Sequence, residues 1–195
     1  DRGQSPQHLR KAVEEGIRQL RQGLDALAAS GVTLGRSYFL VLLADACRHG
    51  RQIKPGLEAV DEALVLVRRI GDRQSEAELH RLRGELWLDA DPPVEAEAEA
   101  SFRRAIEIAR EQEARSWELR AAVSLSRLWQ KQGKSAEQML AETYGWFTEG
   151  LDTPDLQEAR ALLEELRRPP PTLPARAHPT AQRGHRKARS DGGSW

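Results

Sequence analysis

The segment EAELHRLRGELWL, residues 76–88, sets His80 one helical turn from Glu76, with Glu78 and Glu85 close by. A histidine and a carboxylate four residues apart on a helix are the raw material of proton transfer or of a divalent-metal site. Three other stretches invite similar readings. The turn GVTLGRS, Gly31 to Ser37, has the outline of a phosphate loop, but only three residues separate its glycines, arginine stands where lysine is needed, and no strand precedes it. The run Asp89–Ala90–Asp91 lacks the remaining ligands of a calcium loop and stands directly before Pro92 and Pro93. Cys47 is the only cysteine, so an internal disulfide is impossible, and a lone thiol in an apolar helix is by default inert. No Ser/His/Asp set and no cluster at ligand spacing accompanies any of these. The sequence therefore offers no catalytic residue, and neither a metal nor a cofactor is expected.

Whether His80 does chemistry or packs depends on what the surrounding elements repeat. GIRQLRQGLDALAASG (16–31), GLEAVDEALVLVRRIG (56–71) and AEASFRRAIEIAREQE (98–113) align at offsets of 40 and 42 residues. So do the segments RSYFLVLLADACRHG (36–50), EAELHRLRGELWLDA (76–90) and ELRAAVSLSRLWQKQ (118–132). A period of this size marks a solenoid of helix pairs. Pro55, Pro92, Pro93 and Pro154 fall where helices should start, and Gly31, Gly50, Gly71 and Gly133 where they should end. Ser75 with Glu78, and Ser135 with Gln138, have the spacing of capping boxes. Aligned with Leu40 and Ala122, His80 occupies a packing position, and nothing titratable recurs there.

Certain aligned positions stay small. They are Ala44, Gly84 and Ser126 in the first helix of each pair, and Gly16, Gly56 and Ala98, then Gly23, Ala63 and Ala105, in the second. A large residue lies between: Leu20, Val60 or Phe102. A mid-helix glycine costs about 1 kcal/mol relative to alanine, so repeating it implies close helix approach. On this basis Ala44, Gly84 and Ser126 should be buried against Gly56, Ala98 and a helix beginning near Ser135.

These small and large positions resemble those of the tetratricopeptide repeat (TPR), in three units plus a degenerate fourth. The period is longer than is usual in that family, and the second unit carries a two-residue insertion at DADPPV. The expected fold is all-α, a right-handed solenoid of antiparallel helix pairs with about seven or eight helices over residues 1–168. Residues 169–195 hold five of the ten prolines and almost no apolar side chains, so they are expected to form a disordered tail. Yet more specific are AELHRLRGEL (77–86), ELRAAVSLSRLWQKQGK (118–134) and YGWFTEGLDTPDLQEARALLEEL (144–166). They resemble the C-terminal repeat region of bacterial signalling proteins in which a class III adenylate or guanylate cyclase domain, or a DNA-binding domain, precedes a signal-transduction ATPase. That resemblance implies a non-catalytic sensor or regulatory arm that binds a protein, a peptide or a small inducer and acts on an upstream ATPase or effector domain in cis. The alternative is a free-standing peptide-binding scaffold.

Charge limits the partners. The chain carries 30 basic and 30 acidic residues, but the last 27 residues hold five basic against one acidic, leaving the first 168 net acidic. Nucleic acid is thus an unlikely partner for the body. No apolar run approaches the roughly 20 residues of a bilayer span, so no membrane contact is expected, and the single cysteine suits a cytoplasmic location. Counting from the small positions, the groove face should show Tyr38, Val41, Asp45, Arg48 and His49 in the first unit. The second should show Glu78, Arg81, Glu85, Leu88 and Asp89, and the third Arg120, Val123, Arg127, Gln130 and Lys131. Such a face would run from acid-rich to basic and favour a ligand of mixed charge.

Overall fold

Apolar residues spaced three and four apart give each segment one face to bury, and the segments fold as α-helices. The structure is a computed structural model that describes residues 6–31, 35–71 and 73–168. Among them are eight helices and no strand: α1 (Pro6–Ser30), α2 (Arg36–His49), α3 (Ile53–Ile70), α4 (Glu76–Leu88), α5 (Glu95–Glu111), α6 (Arg115–Lys131), α7 (Glu137–Tyr144) and α8 (Pro154–Leu166). No helix among the described residues is long and apolar enough to cross a membrane. The expected tail, 169–195, and residues 32–34 of the Gly31–Ser37 turn lie outside the described residues.

Every helix packs on the next in sequence, and the links are short enough that the chain can only double back. Beyond these neighbours, α2 touches α4, α4 touches α6 and α6 touches α8, whereas no odd-numbered helix touches another. The even helices thus form one contiguous layer and the odd helices a splayed outer one. Two large apolar clusters follow the chain in place of a single centre. One joins α1–α4 through Ile17, Leu40, Val60 and Leu82; the other joins α5, α6 and α8 through Phe102, Leu125 and Leu163.

The small positions serve this packing. Ala44 and Ser126 are fully buried, and Gly84 is buried too. A Cβ on Gly84 would overlap the ring of Phe102 on α5, and one on Gly56 would meet Leu86 of α4 at 2.7 Å and Cys47 at 3.3 Å. The expected pairing of small with small is therefore corrected at Gly84 and Gly56. Each glycine makes a hole that receives a large side chain, because two facing gaps would leave a void.

The helix ends also depart from expectation in detail. Ser75 is the N-cap of α4 but its side chain makes no cap bond, and Glu78 points inward to arginines instead of closing a capping box. The N-cap of α7 is Ala136, one residue beyond Ser135. Pro154 opens α8 as expected, while Pro92 and Pro93 stand in the link before α5 and Pro55 lies inside the first turn of α3. Gly71 closes α3 in the left-handed conformation, at φ 74°.

Candidate functional site

On the face of the even layer turned away from the odd helices lies an open cleft of about 510 Å³. Helix spacing explains its lining. Arg81, Glu85, Leu88 and Asp89 recur every three or four residues along α4, as do Arg120, Val123, Arg127 and Lys131 along α6, so each set shares one side. To these α2 adds Asp45, Arg48 and His49. Eleven of the fifteen residues expected on the groove face therefore line one cleft.

The other four stand apart. Glu78 is 5% exposed and lies beneath the cleft. Gln130 lines a neighbouring depression with Lys131, Glu158 and Leu162. Tyr38 and Val41 are not brought to the cleft; Tyr38 is 57% exposed, its ring edge-on to Phe39 at 5.9 Å. Ser124, Leu128, Asp155 and Glu158 complete the lining. The first two needed only a wider reading of α6, but the acids of α8 belong to the degenerate fourth unit, where no aligned counterpart marks them.

An ionic chain runs across the helices under and around this cleft. Arg81 donates two parallel bonds to Glu78, at 2.9 and 2.8 Å, and reaches Glu85 at 3.3 Å. Arg120 from α6 also meets Glu78, at 3.1 Å, and the Ser124 hydroxyl donates to Glu85 at 2.6 Å. From α2, Arg48 bridges to Glu85 at 3.3 Å and to Asp89 at 3.0 Å. Toward α8, Arg127 pairs with Glu158 at 2.7 Å and Arg120 lies 3.9 Å from Asp155. Burial works against the Arg81 guanidinium, but the carboxylates of Glu78, Glu85 and Asp45 outweigh it and hold its pKa above the ordinary arginine value.

This network changes the expected charge gradient. Arg120 and Arg127 of α6 are neutralised by acids of α4 and α8, leaving a cleft of interleaved sign. Lys131 is exposed and has no carboxylate partner among the described residues, and Asp45, though near enough to Arg81 to act on its charge, is bridged only to His49 of its own helix, at 3.7 Å. The unspent charges thus stand on α2 and α6, on either side of the bridged centre.

His80 is not part of this cleft. Half-buried, it lies on the opposite side of α4, in a shallower recess of about 390 Å³ between α3 and α5 with Arg83, Trp87 and Arg104. Desolvation first, then the nearby Arg83 guanidinium, lowers its pKa to about 4, with Arg104 and Arg68 adding to the effect and Glu76 opposing it. Cys47 is fully buried, and burial raises its thiol pKa. Among the described residues no three His, Cys, Asp or Glu side chains are grouped to hold a metal ion. No model of a protein family matches the chain, and no curated protein matches it.

Proposed function

We propose that this chain is a TPR-type right-handed solenoid that binds a protein or peptide segment, or a small inducer, in the cleft of its even-helix layer. In this reading it is the regulatory arm of a bacterial signal-transduction ATPase. The observation that carries the binding role is the cleft itself. It is lined from four helices of one layer, α2, α4, α6 and α8, and apart from Leu88, Val123 and Leu128 its side chains are polar and lie outside the apolar core. Its interleaved charges suit a zwitterionic segment better than a strongly anionic or cationic one. The signalling role rests on the sequence resemblance of residues 77–86, 118–134 and 144–166. A bound segment would bias an attached domain only by favouring one curvature of the layer over another.

Fluorescence anisotropy with labelled decapeptides of positive, negative and balanced charge tests the cleft. The balanced set should bind best, and Asp45→Lys combined with Lys131→Glu should weaken it about tenfold, roughly 1.4 kcal/mol, more at low salt than at high. Equal binding by the parent and the doubly reversed protein would move the site to another face.

A further inference from the structure

The recess that holds His80 has a counterpart one unit earlier, and the two are built differently. Across α1, α2 and α3, a depression of about 450 Å³ is floored by Leu40 and Leu43, with Glu58 and Glu62 on its α3 side. Carried forward by the repeat, these four positions become His80, Arg83, Ala100 and Arg104, which line the recess of about 390 Å³ across α3, α4 and α5. In the third unit the floor positions are apolar again, Ala122 and Leu125, and both are buried. Of the three aligned units, only the middle one sets two polar side chains where the others bury apolar ones. It also exchanges two acids for an alanine and an arginine. Packing does not call for this. Leu40 and Leu43 show that the same helix pair accepts leucine at both places, and leucine would gain apolar burial that the half-buried His80 and Arg83 forgo.

The charges around the imidazole say what such a floor suits. Helix α3 presents Asp61 and Arg68, α4 presents Glu76 and Arg83, and α5 presents Glu97 and Arg104. Desolvation and the Arg83 charge outweigh Glu76, so a proton is disfavoured on His80 and an anion is favoured beside it. The two arginines of the recess are held only by surface pairs. Arg83 meets Asp61, Arg104 meets Glu107 at 3.1 Å and Glu111 at 3.9 Å, and all three carboxylates are more than half exposed. Exposed pairs of this kind are worth little, so a ligand carboxylate can take their place at small cost. Asp61 and Glu97 set the opposite limit, because a dianion would meet two acids. Trp87 and Leu57 add apolar surface, and Ala100 and Ser101 on α5 add little bulk. Trp129, the repeat counterpart of Trp87, lies under the Arg103 guanidinium at 5.1 Å, whereas no cation covers Trp87 among the described residues.

We propose that this recess binds a small aromatic monocarboxylate, its ring against Trp87 and Leu57 and its carboxylate among Arg83, Arg104 and the N–H of His80. A neutral imidazole keeps one such donor. The site lies on the opposite side of α4 from the cleft and does not depend on it.

Benzoate and naphthoate serve as probes, with benzamide and benzylammonium as neutral and cationic controls of similar shape. In NMR titrations of the full chain at neutral pH, the carboxylates should shift the Trp87 indole and His80 imidazole signals saturably, and the controls should not. Arg83→Leu installs the residue that both neighbouring units carry, and Arg104 is exposed, so neither Arg83→Leu nor Arg104→Glu should disturb the helical circular dichroism. Each should weaken benzoate by about tenfold or more. Asp45→Lys with Lys131→Glu, which alters only the cleft, should leave benzoate binding unchanged. Carboxylates that move neither signal up to their solubility limit overturn the proposal. So do controls that bind as well as benzoate, an Arg104→Glu variant that binds like the parent, or a cleft variant that loses binding.

Discussion

His80 gives the protein an acid sensitivity unrelated to its cleft. Its pKa lies near 4 in the folded state against 6.5 for a free imidazole. A histidine held neutral by the fold contributes stability that is complete above pH 6.5 and is lost as pH falls toward 4. That loss should be on the order of 1–3 kcal/mol, and His80→Leu should abolish it while preserving stability at neutral pH; urea unfolding at a series of pH values measures both. A lower window belongs to Glu99, whose pKa is pulled down to about 2 by Lys134 and then Arg103. Its contribution is present above pH 4.5 and is lost between 4.5 and 2, so Glu99→Gln should flatten the curve there and not above. Ser126 is a different case: its buried hydroxyl has no hydrogen-bond partner among the described residues. Ser126→Ala keeps the small volume and removes the unpaired group, and should stabilise the protein by about 1 kcal/mol. The repeat alignment reveals that this position must be small. It cannot reveal that a hydroxyl there goes unpaired, since that depends on where every neighbouring carbonyl points. For the same reason the charges that lower the His80 pKa, Arg83 apart, come from α3 and α5 and are not visible in residues 76–88.

Pairs of helices are coupled by two devices of opposite character, one steric and one ionic. The steric device is the seating of Phe102 over Gly84. Gly84→Leu drives a side chain into that ring and should cost roughly 1–3 kcal/mol in a denaturant melt, with the helix content of the folded state retained. The ionic device joins α4 to α6 through Glu78, whose side chain is 6% exposed and serves both Arg81 and Arg120. Glu78→Leu alone leaves the buried Arg81 only its longer contact to Glu85, at 3.3 Å, and should cost about 3 kcal/mol, whereas Glu78→Leu with Arg81→Met should recover most of that loss. A double-mutant cycle on thermal or urea unfolding separates the two. The existence and order of the helices were legible from periodicity, prolines and glycines, because those signals are local. The helix ends were less so, as Glu78 illustrates: its spacing from Ser75 suits a cap, but two arginines reach it first. Which face of each helix turns to the cleft was legible for α4 and α6, where the small positions fix the rotation. It failed for Tyr38 and Val41 near the start of α2, which has no earlier even-numbered helix beside it among the described residues.

At the scale of the molecule, contacts among the described residues join only helices that are first or second neighbours in the chain. Stability should therefore be graded along the sequence. Amide exchange should be slowest in α4, α5 and α6, each held from more than one side, and fastest in α1, which rests on α2 alone. Uniform protection from α1 to α8 would mean that the helices open together and that this local accounting fails. The alternation of a contiguous layer with a splayed one emerges only when three or more units are stacked, which is why the repeat could be read from sequence while the cleft's closing acids on α8 could not. This contact pattern has an evolutionary side as well. A molecule whose parts answer only to adjacent parts can be edited by the unit, because removing one leaves the remaining junctions chemically familiar to each other. Excising one 40-residue period, 53–92, would bring the end of α2 to the start of α5 and should leave a shorter folded array. Lengthening by duplication is open to it in the same way, and the reach of the cleft becomes a quantity that gene rearrangement can adjust without redesigning any helix.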